Sequence, residues 1–160
     1  MQIKAPRRRQ HSFTQELQGS PQEVFELLCP VREADWIEGW DPIWVQTHGG
    51  LAELDCVFAT QEQGLQAIWV ITRHEPAAGR VEMVKFLPER SVCRLSLEVL
   101  PEGDSRSSAR VTYCLTSLGP LGDAQLEAFS EEYYVEFMRS WEARMNHYLA
   151  TGERLQDDQS

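Results

Sequence analysis

The stretch DAQLEAFSEEYYVEFMRSWEARMNHYLAT, Asp123 to Thr151, decides the fold. Large apolar residues recur three or four apart at Leu126, Phe129, Tyr133, Phe137, Trp141, Met145 and Tyr148, and Tyr134, Met138 and Leu149 widen the stripe. That is the period of a helix buried along one face. Asp123 can cap its start and Gly152 its end. At about 1.5 Å per residue the helix runs roughly 40 Å, the span of a small domain, so the other elements must pack along it. Ser130 and Arg144 fall inside the apolar sector. A lone buried charge is costly, so Arg144 either snorkels out near the helix end or meets a carboxylate in a cavity.

Around this helix there is room for one core. The 160 residues are 42% hydrophobic, enough for a single domain and too few to expect two. Residues 1–11 read as a flexible arm, 12–152 as the domain, and 153–160 as a polar, acidic, disordered tail. With 25 acidic and 15 basic side chains the formal charge is -10, which repels polyphosphate and anionic lipid unless the basic residues cluster. Only Arg7, Arg8 and Arg9 do, and as part of the arm they read as solvated, so nucleic acid is not an expected partner. Cys29, Cys56, Cys93 and Cys114 form neither a CxxC pair nor a zinc spacing and read as buried free thiols. His11, His48 and His147 are too scattered for a metal site, and no cofactor is expected. No apolar run follows the arginines, and no segment reaches the roughly 18 apolar residues of a membrane span, which points to a soluble, cytoplasmic protein.

Ahead of the helix lie strands. Ser12 to Gln18 alternates as a short strand, and Ser20-Pro21-Gln22-Glu23 then combines an N-cap, a proline at the first helical position and a capping glutamate. That helix ends at Pro30, and a second short piece, Glu33 to Glu38, follows it. Ile43 to Thr47 and Cys56 to Thr60 flank His48-Gly49-Gly50 as a hairpin; no lysine or helix start follows the glycines, so they do not read as a phosphate loop. Gln66 to His74, Arg80 to Leu87, Ser91 to Leu100 and Ala109 to Ser117 are strand-like and are separated by short polar turns suited to antiparallel neighbours. Cys93, Leu95, Leu97 and Val99 share one side of their strand, and Val111, Tyr113 and Leu115 share one side of theirs, so the sheet buries one face. Periodicity leaves the inward face of 66–74 open. The order is strand, two short helices, six strands, long helix: an α+β chain.

That order resembles the helix-grip fold of the START-related superfamily, which includes polyketide cyclases and dehydratases, the birch-pollen allergen group and lipid-transfer domains. The likeness spans nearly the whole chain and is most specific from His11-Ser12-Phe13 through Leu28-Cys29-Pro30-Val31-Arg32-Glu33 to Asp35-Trp36-Ile37-Glu38-Gly39-Trp40. It looks like a bacterial branch of that group. The resemblance implies a seven-stranded antiparallel sheet curved around the last helix, with an apolar cavity between them. It carries over no catalytic set.

Trp36, Trp40 and Trp44 are four apart, but Gly39 and Pro42 interrupt any helix, so they close one end of the sheet either as cavity lining or as core. Trp69 belongs with them if its side of the strand faces inward. Arg73 and His74 adjoin on one strand, so only one can point in; both could also be an exposed strand end beside Glu75. Glu38, between apolar neighbours, is the carboxylate whose protonation an apolar setting could favour, with capping or surface placement as the alternative. Glu131-Glu132 and Asp157-Asp158 have no apolar setting and read as solvated. Tyr113 and Tyr133 can each aim a hydroxyl into a cavity or at a backbone carbonyl. With Phe137, Trp141 and Arg144 of the helix, these positions make up the expected ligand-binding set.

The expected function is binding or transport of a hydrophobic or aromatic small molecule between sheet and helix. An alternative is a cyclase, dehydratase or hydrolase whose acid-base groups come from Glu38, Arg73, His74 and Tyr113. A third is a protein-interaction module like the chaperone-activating members of the same fold.

Overall fold

The structure is a computed structural model and describes residues 1–157. Seven antiparallel strands form one sheet in the order β1-β7-β6-β5-β4-β3-β2. They are β1 (Arg8–Leu17), β2 (Trp44–Gln46), β3 (Val57–Glu62), β4 (Leu65–Glu75), β5 (Arg80–Leu87), β6 (Ser91–Pro101) and β7 (Ser107–Ser117). Helices α1 (Pro21–Leu27) and α2 (Glu33–Trp36) follow β1, and α3 (Pro120–Ala128) and α4 (Glu131–Thr151) follow β7. The sheet curves around α4, in the α+β helix-grip arrangement.

The strand pattern makes one inner face. Cys93 sits opposite Leu115, Leu95 opposite Tyr113 and Leu97 opposite Val111, and all six are buried. In β5 the inward positions are Val81, Met83, Lys85 and Leu87, so one lysine joins an apolar row. In β4, Ala67, Trp69 and Ile71 point in, and a bulge between Ile71 and Arg73 then shifts the alternation by one residue. Arg73 consequently faces outward opposite Glu82, while His74 faces inward opposite Val81 and packs on Phe25 at 5.4 Å between ring centroids. That shift is why alternation alone could not orient 66–74.

The expected helix over 123–151 is two helices. Phe129 leaves helical geometry, and Ser130 adopts an extended backbone (φ -73°, ψ 163°) as N-cap of α4, its hydroxyl accepting from the Tyr133 amide at 3.1 Å. Glu131 and Glu132 then complement the positive end of the helix dipole. Ser130 therefore answers a helix start rather than sitting in a buried stripe. Asp123 caps nothing; it lies inside the first turn of α3, accepting from the Ser117 hydroxyl at 2.7 Å and from Arg7 at 2.8 Å. The Gly152 expectation holds, since its φ of 73° ends α4 with its backbone N–H donating to the Tyr148 carbonyl. Ser130→Ala should lower stability by about 1 kcal/mol in urea unfolding, with local fraying at Glu131–Tyr133 seen by hydrogen exchange.

β1 starts at Arg8, so Arg8 and Arg9 belong to the sheet rather than to a free arm. The Arg8 guanidinium donates to Thr116 at 2.8 Å and the Ser117 amide to the Arg7 carbonyl at 2.9 Å. As an edge strand β1 exposes a row of backbone groups, and α4 covers it. Glu142 accepts from the Glu16 amide, Asn146 accepts from Gln18 and donates to the Glu16 carbonyl, and buried Gln15 donates to the Met138 carbonyl. All four cysteines are buried free thiols.

Candidate functional site

Because α4 leans on β1 at one edge of the sheet, the inner face toward β3–β6 is left to be closed by α2, α3 and side chains. Between them lies a cavity of about 820 Å³, within the usual size of small-molecule sites. The sheet contributes Phe58, Trp69, Met83, Lys85, Leu95 and Tyr113 to its wall. Facing them are Phe137 and Trp141 of α4, Gln125 and Phe129 of α3 and its end, Glu33 of α2, and Trp40 beyond it. Phe58 stacks on Trp69 at 5.3 Å, and Trp40 meets Phe58 edge-on at 6.4 Å. Phe137 contacts Tyr113 at 6.0 Å and Trp141 at 5.5 Å. Gln61, Gln63, Glu38 and Tyr133 are exposed lining residues and mark the side open to solvent.

The polar groups inside divide into satisfied and unsatisfied ones. Lys85 donates to Glu62 at 2.7 Å and lies 5.1 Å over the Trp69 ring, whose indole N–H donates to Thr60 at 3.0 Å. By contrast Glu33 is only 8% exposed, and among the described residues no hydrogen bond to its carboxyl group offsets that burial. Burial alone pushes its pKa up to about 8. The Tyr113 hydroxyl is likewise unpartnered and is held well above its usual range, first by burial. Burial raises the Cys93 thiol to about 11, so it is not a thiolate nucleophile near neutral pH. The Gln125 Oε1 is buried without a partner. Three unpaired polar groups in an aromatic cavity leave hydrogen bonds for an occupant to make.

The residues expected from the sequence are distributed as follows. Trp40, Trp69, Tyr113, Tyr133, Phe137, Trp141 and Glu38 line the cavity, with Tyr133 54% exposed at its edge. Trp36 does not line it. It is fully buried, donates its indole N–H to the Leu27 carbonyl at 2.9 Å and meets Trp141 edge-on at 5.6 Å, so it holds a lining residue from behind. Arg73 is turned to the outer face by the β4 bulge. Arg144 is answered by the chain's own tail: its guanidinium pairs with Asp157 and donates to the Leu155 carbonyl at 3.5 Å. Glu38, expected in an apolar setting, is exposed and accepts from the Asp157 amide at 2.7 Å. Residues 153–157 of the expected tail thus reach back to Glu38, on the open side of the cavity; Asp158 to Ser160 lie outside the described residues. Asp157→Ala should loosen this segment by removing its side-chain pair with Arg144, raising proteolytic cleavage within 153–157 while costing the fold less than about 1 kcal/mol, because the pair is half in solvent.

Glu33, Lys85 and Gln125 escaped the sequence reading. Glu33 had a signal, since it lies three residues before Trp36 and so shares its helix face; Lys85 had one in the alternation of Val81, Met83 and Leu87. Among the described residues no cluster of His, Cys, Asp and Glu could hold a metal ion, and no helix is long and apolar enough to cross a membrane.

Seven antiparallel strands gripping a C-terminal helix over such a cavity define the helix-grip fold of the START-related proteins. Norcoclaurine synthase from Thalictrum flavum superposes with a TM-score of 0.68 at 7% identity, covering 94% of this chain and 98% of that one. The Zhui aromatase/cyclase from Streptomyces sp. R1128 gives 0.65 at 14% identity, covering 93% and 100%. A START superfamily protein from Mycobacterium smegmatis gives 0.63 at 12%, covering 86% and 97%. At these identities the likeness is one of fold. No protein-family model matches the chain, and no curated protein matches it significantly.

Proposed function

We propose that the protein binds a hydrophobic or amphipathic small molecule containing a ring, between the sheet and α4. The observation that carries this is the cavity of about 820 Å³ walled by aromatic side chains, with unpaired polar groups set into it. Trp40, Trp69, Phe137 and Trp141 offer flat apolar area, and Glu33, Tyr113 and Gln125 can orient a polar substituent. Norcoclaurine synthase, which has this fold, was solved in complex with dopamine and hydroxybenzaldehyde, which supports a ring-sized occupant. Native mass spectrometry of the purified protein, followed by solvent extraction, should recover a bound small molecule or detect added aromatic probes at one per chain. Protein that comes empty and binds none of a panel of neutral, cationic and anionic aromatics would refute the proposal.

One observation favours a second reading, in which the same cavity is catalytic. With its pKa near 8, Glu33 lies close enough to neutrality to give or take a proton in the cavity that the Tyr113 side chain also lines. Catalysis predicts that an extracted or added ligand is chemically changed and that Glu33→Gln stops the change. A ligand recovered intact after long incubation argues for binding alone.

A further inference from the structure

We propose that the occupant of this cavity is a ring-bearing amine whose ammonium group is held by the Glu33 carboxylate. The inference rests on reading the cavity as a small-molecule site and adds the charge of its ligand.

The charges of the lining are one-sided. Glu33, Glu38, Asp41 and Glu62 face a single basic side chain, Lys85, which is already bound to Glu62 at 2.7 Å. A carboxylate or phosphate headgroup would therefore find no free cation among the described lining residues. It would instead approach past the exposed carboxylates of Glu38 and Asp41 and, once seated, would hold the Glu33 carboxyl in its protonated form. A cationic headgroup finds the reverse.

The unpaired groups have the same bias. Once ionised, Glu33 can only accept hydrogen bonds, as can the Gln125 Oε1, and a tyrosine hydroxyl can accept as well as donate, whereas an ammonium has three donors and no acceptor. Glu33 is more than nine-tenths buried, and among the described residues no protein donor bonds its carboxyl group. A cation from outside the chain would supply one. The rings of Tyr113, Phe137 and Trp141 add faces to which a cation is attracted.

Proton bookkeeping gives the proposal a signature. In the empty cavity Glu33 is mostly protonated at pH 7, given its pKa of about 8. Seating an ammonium there breaks its O–H bond and sends that proton to solvent, leaving carboxylate and ammonium paired. The other titratable groups around the cavity are Tyr113 of β7, Cys93 of β6, Lys85 with Glu62 across β5 and β3, Tyr133 of α4, and Glu38 and Asp41 after α2. Tyr113 and Cys93 stay protonated at pH 7, being pushed upward.

The test is isothermal titration calorimetry on the full chain with tryptamine, tryptophol and indole-3-propionate, which share a ring and differ in charge. Titrations at pH 7 in two buffers of different ionisation enthalpy count the protons released. Tryptamine should bind at least about tenfold tighter than tryptophol, with indole-3-propionate weakest, the preference expected of a hydrogen-bonded charge. It should release close to one proton per molecule bound. In Glu33→Gln both the preference and the release should vanish while tryptophol still binds. Tryptophol or indole-3-propionate binding as tightly as tryptamine, or wild-type protein releasing no proton on binding tryptamine, overturns the proposal and leaves the cavity reading standing. Failure of all three, together with failure of neutral N-phenyl-1-naphthylamine, overturns the cavity reading itself and this proposal with it.

Discussion

Glu33→Gln is expected to abolish most of the loss of stability that the empty wild-type protein undergoes between pH 5 and pH 9. Below about pH 4.5 the carboxyl is protonated in both folded and unfolded chains and its burial costs little. As pH rises, the unfolded chain ionises while the folded one holds its proton until about pH 8. Over that window each pH unit costs about 1.4 kcal/mol, and above it the penalty is constant. The sign is therefore a loss with rising pH, on the order of 3–5 kcal/mol in all, with water reaching the cavity tending to the lower figure. Glutamine carries the same shape and no titration, so its own cost of burial is equal at every pH. Urea unfolding of both proteins at pH 5, 7 and 9 measures the difference. Parallel stability profiles would mean that the carboxyl ionises as freely in the fold as out of it.

Trp36→Ala should cost about 3–5 kcal/mol, the usual range for emptying a fully buried large aromatic site. Its ring is wholly enclosed and its indole N–H serves the Leu27 carbonyl at the end of α1, which would be left without that donor. Trp141 would also lose the edge against which it stands. Two readouts should move together, stability in urea and affinity for any aromatic probe. Trp40→Ala removes a ring that is partly in solvent and should leave stability much less affected while still weakening the probe. A loss below about 1 kcal/mol for Trp36→Ala would mean that the site collapses around the gap, contrary to a ring propping the cavity wall.

The α+β order, the seven strands and the capping box at Ser20 were legible because each rests on local rules: alternation, turn chemistry and reciprocal hydrogen bonds to orphan amides. Apolar period marked the terminal helix but not its break, because Phe129 continues the period in sequence while leaving it in space. The serine that follows was the available sign, a preferred cap residue with two acids behind it. The site was less legible. Aromatic residues on a helix announce a wall, so Phe137 and Trp141 could be named from spacing. Whether Arg73 or His74 turns inward depended on a bulge that needs the partner strand to appear. Glu33 was passed over because Arg32 and Asp35 stand close to it in sequence, whereas in space it lines a cavity walled by rings.

The folded-back segment 153–157 bears on how the protein should be handled. Arg144 and Glu38 both hold Asp157, one through its carboxylate and the other through its amide. A purification tag or reporter fused on the C-terminal side would therefore begin close to Glu38, a lining residue on the open side of the cavity. Affinities are best measured after such a tag has been cleaved, so that nothing added competes for those two contacts.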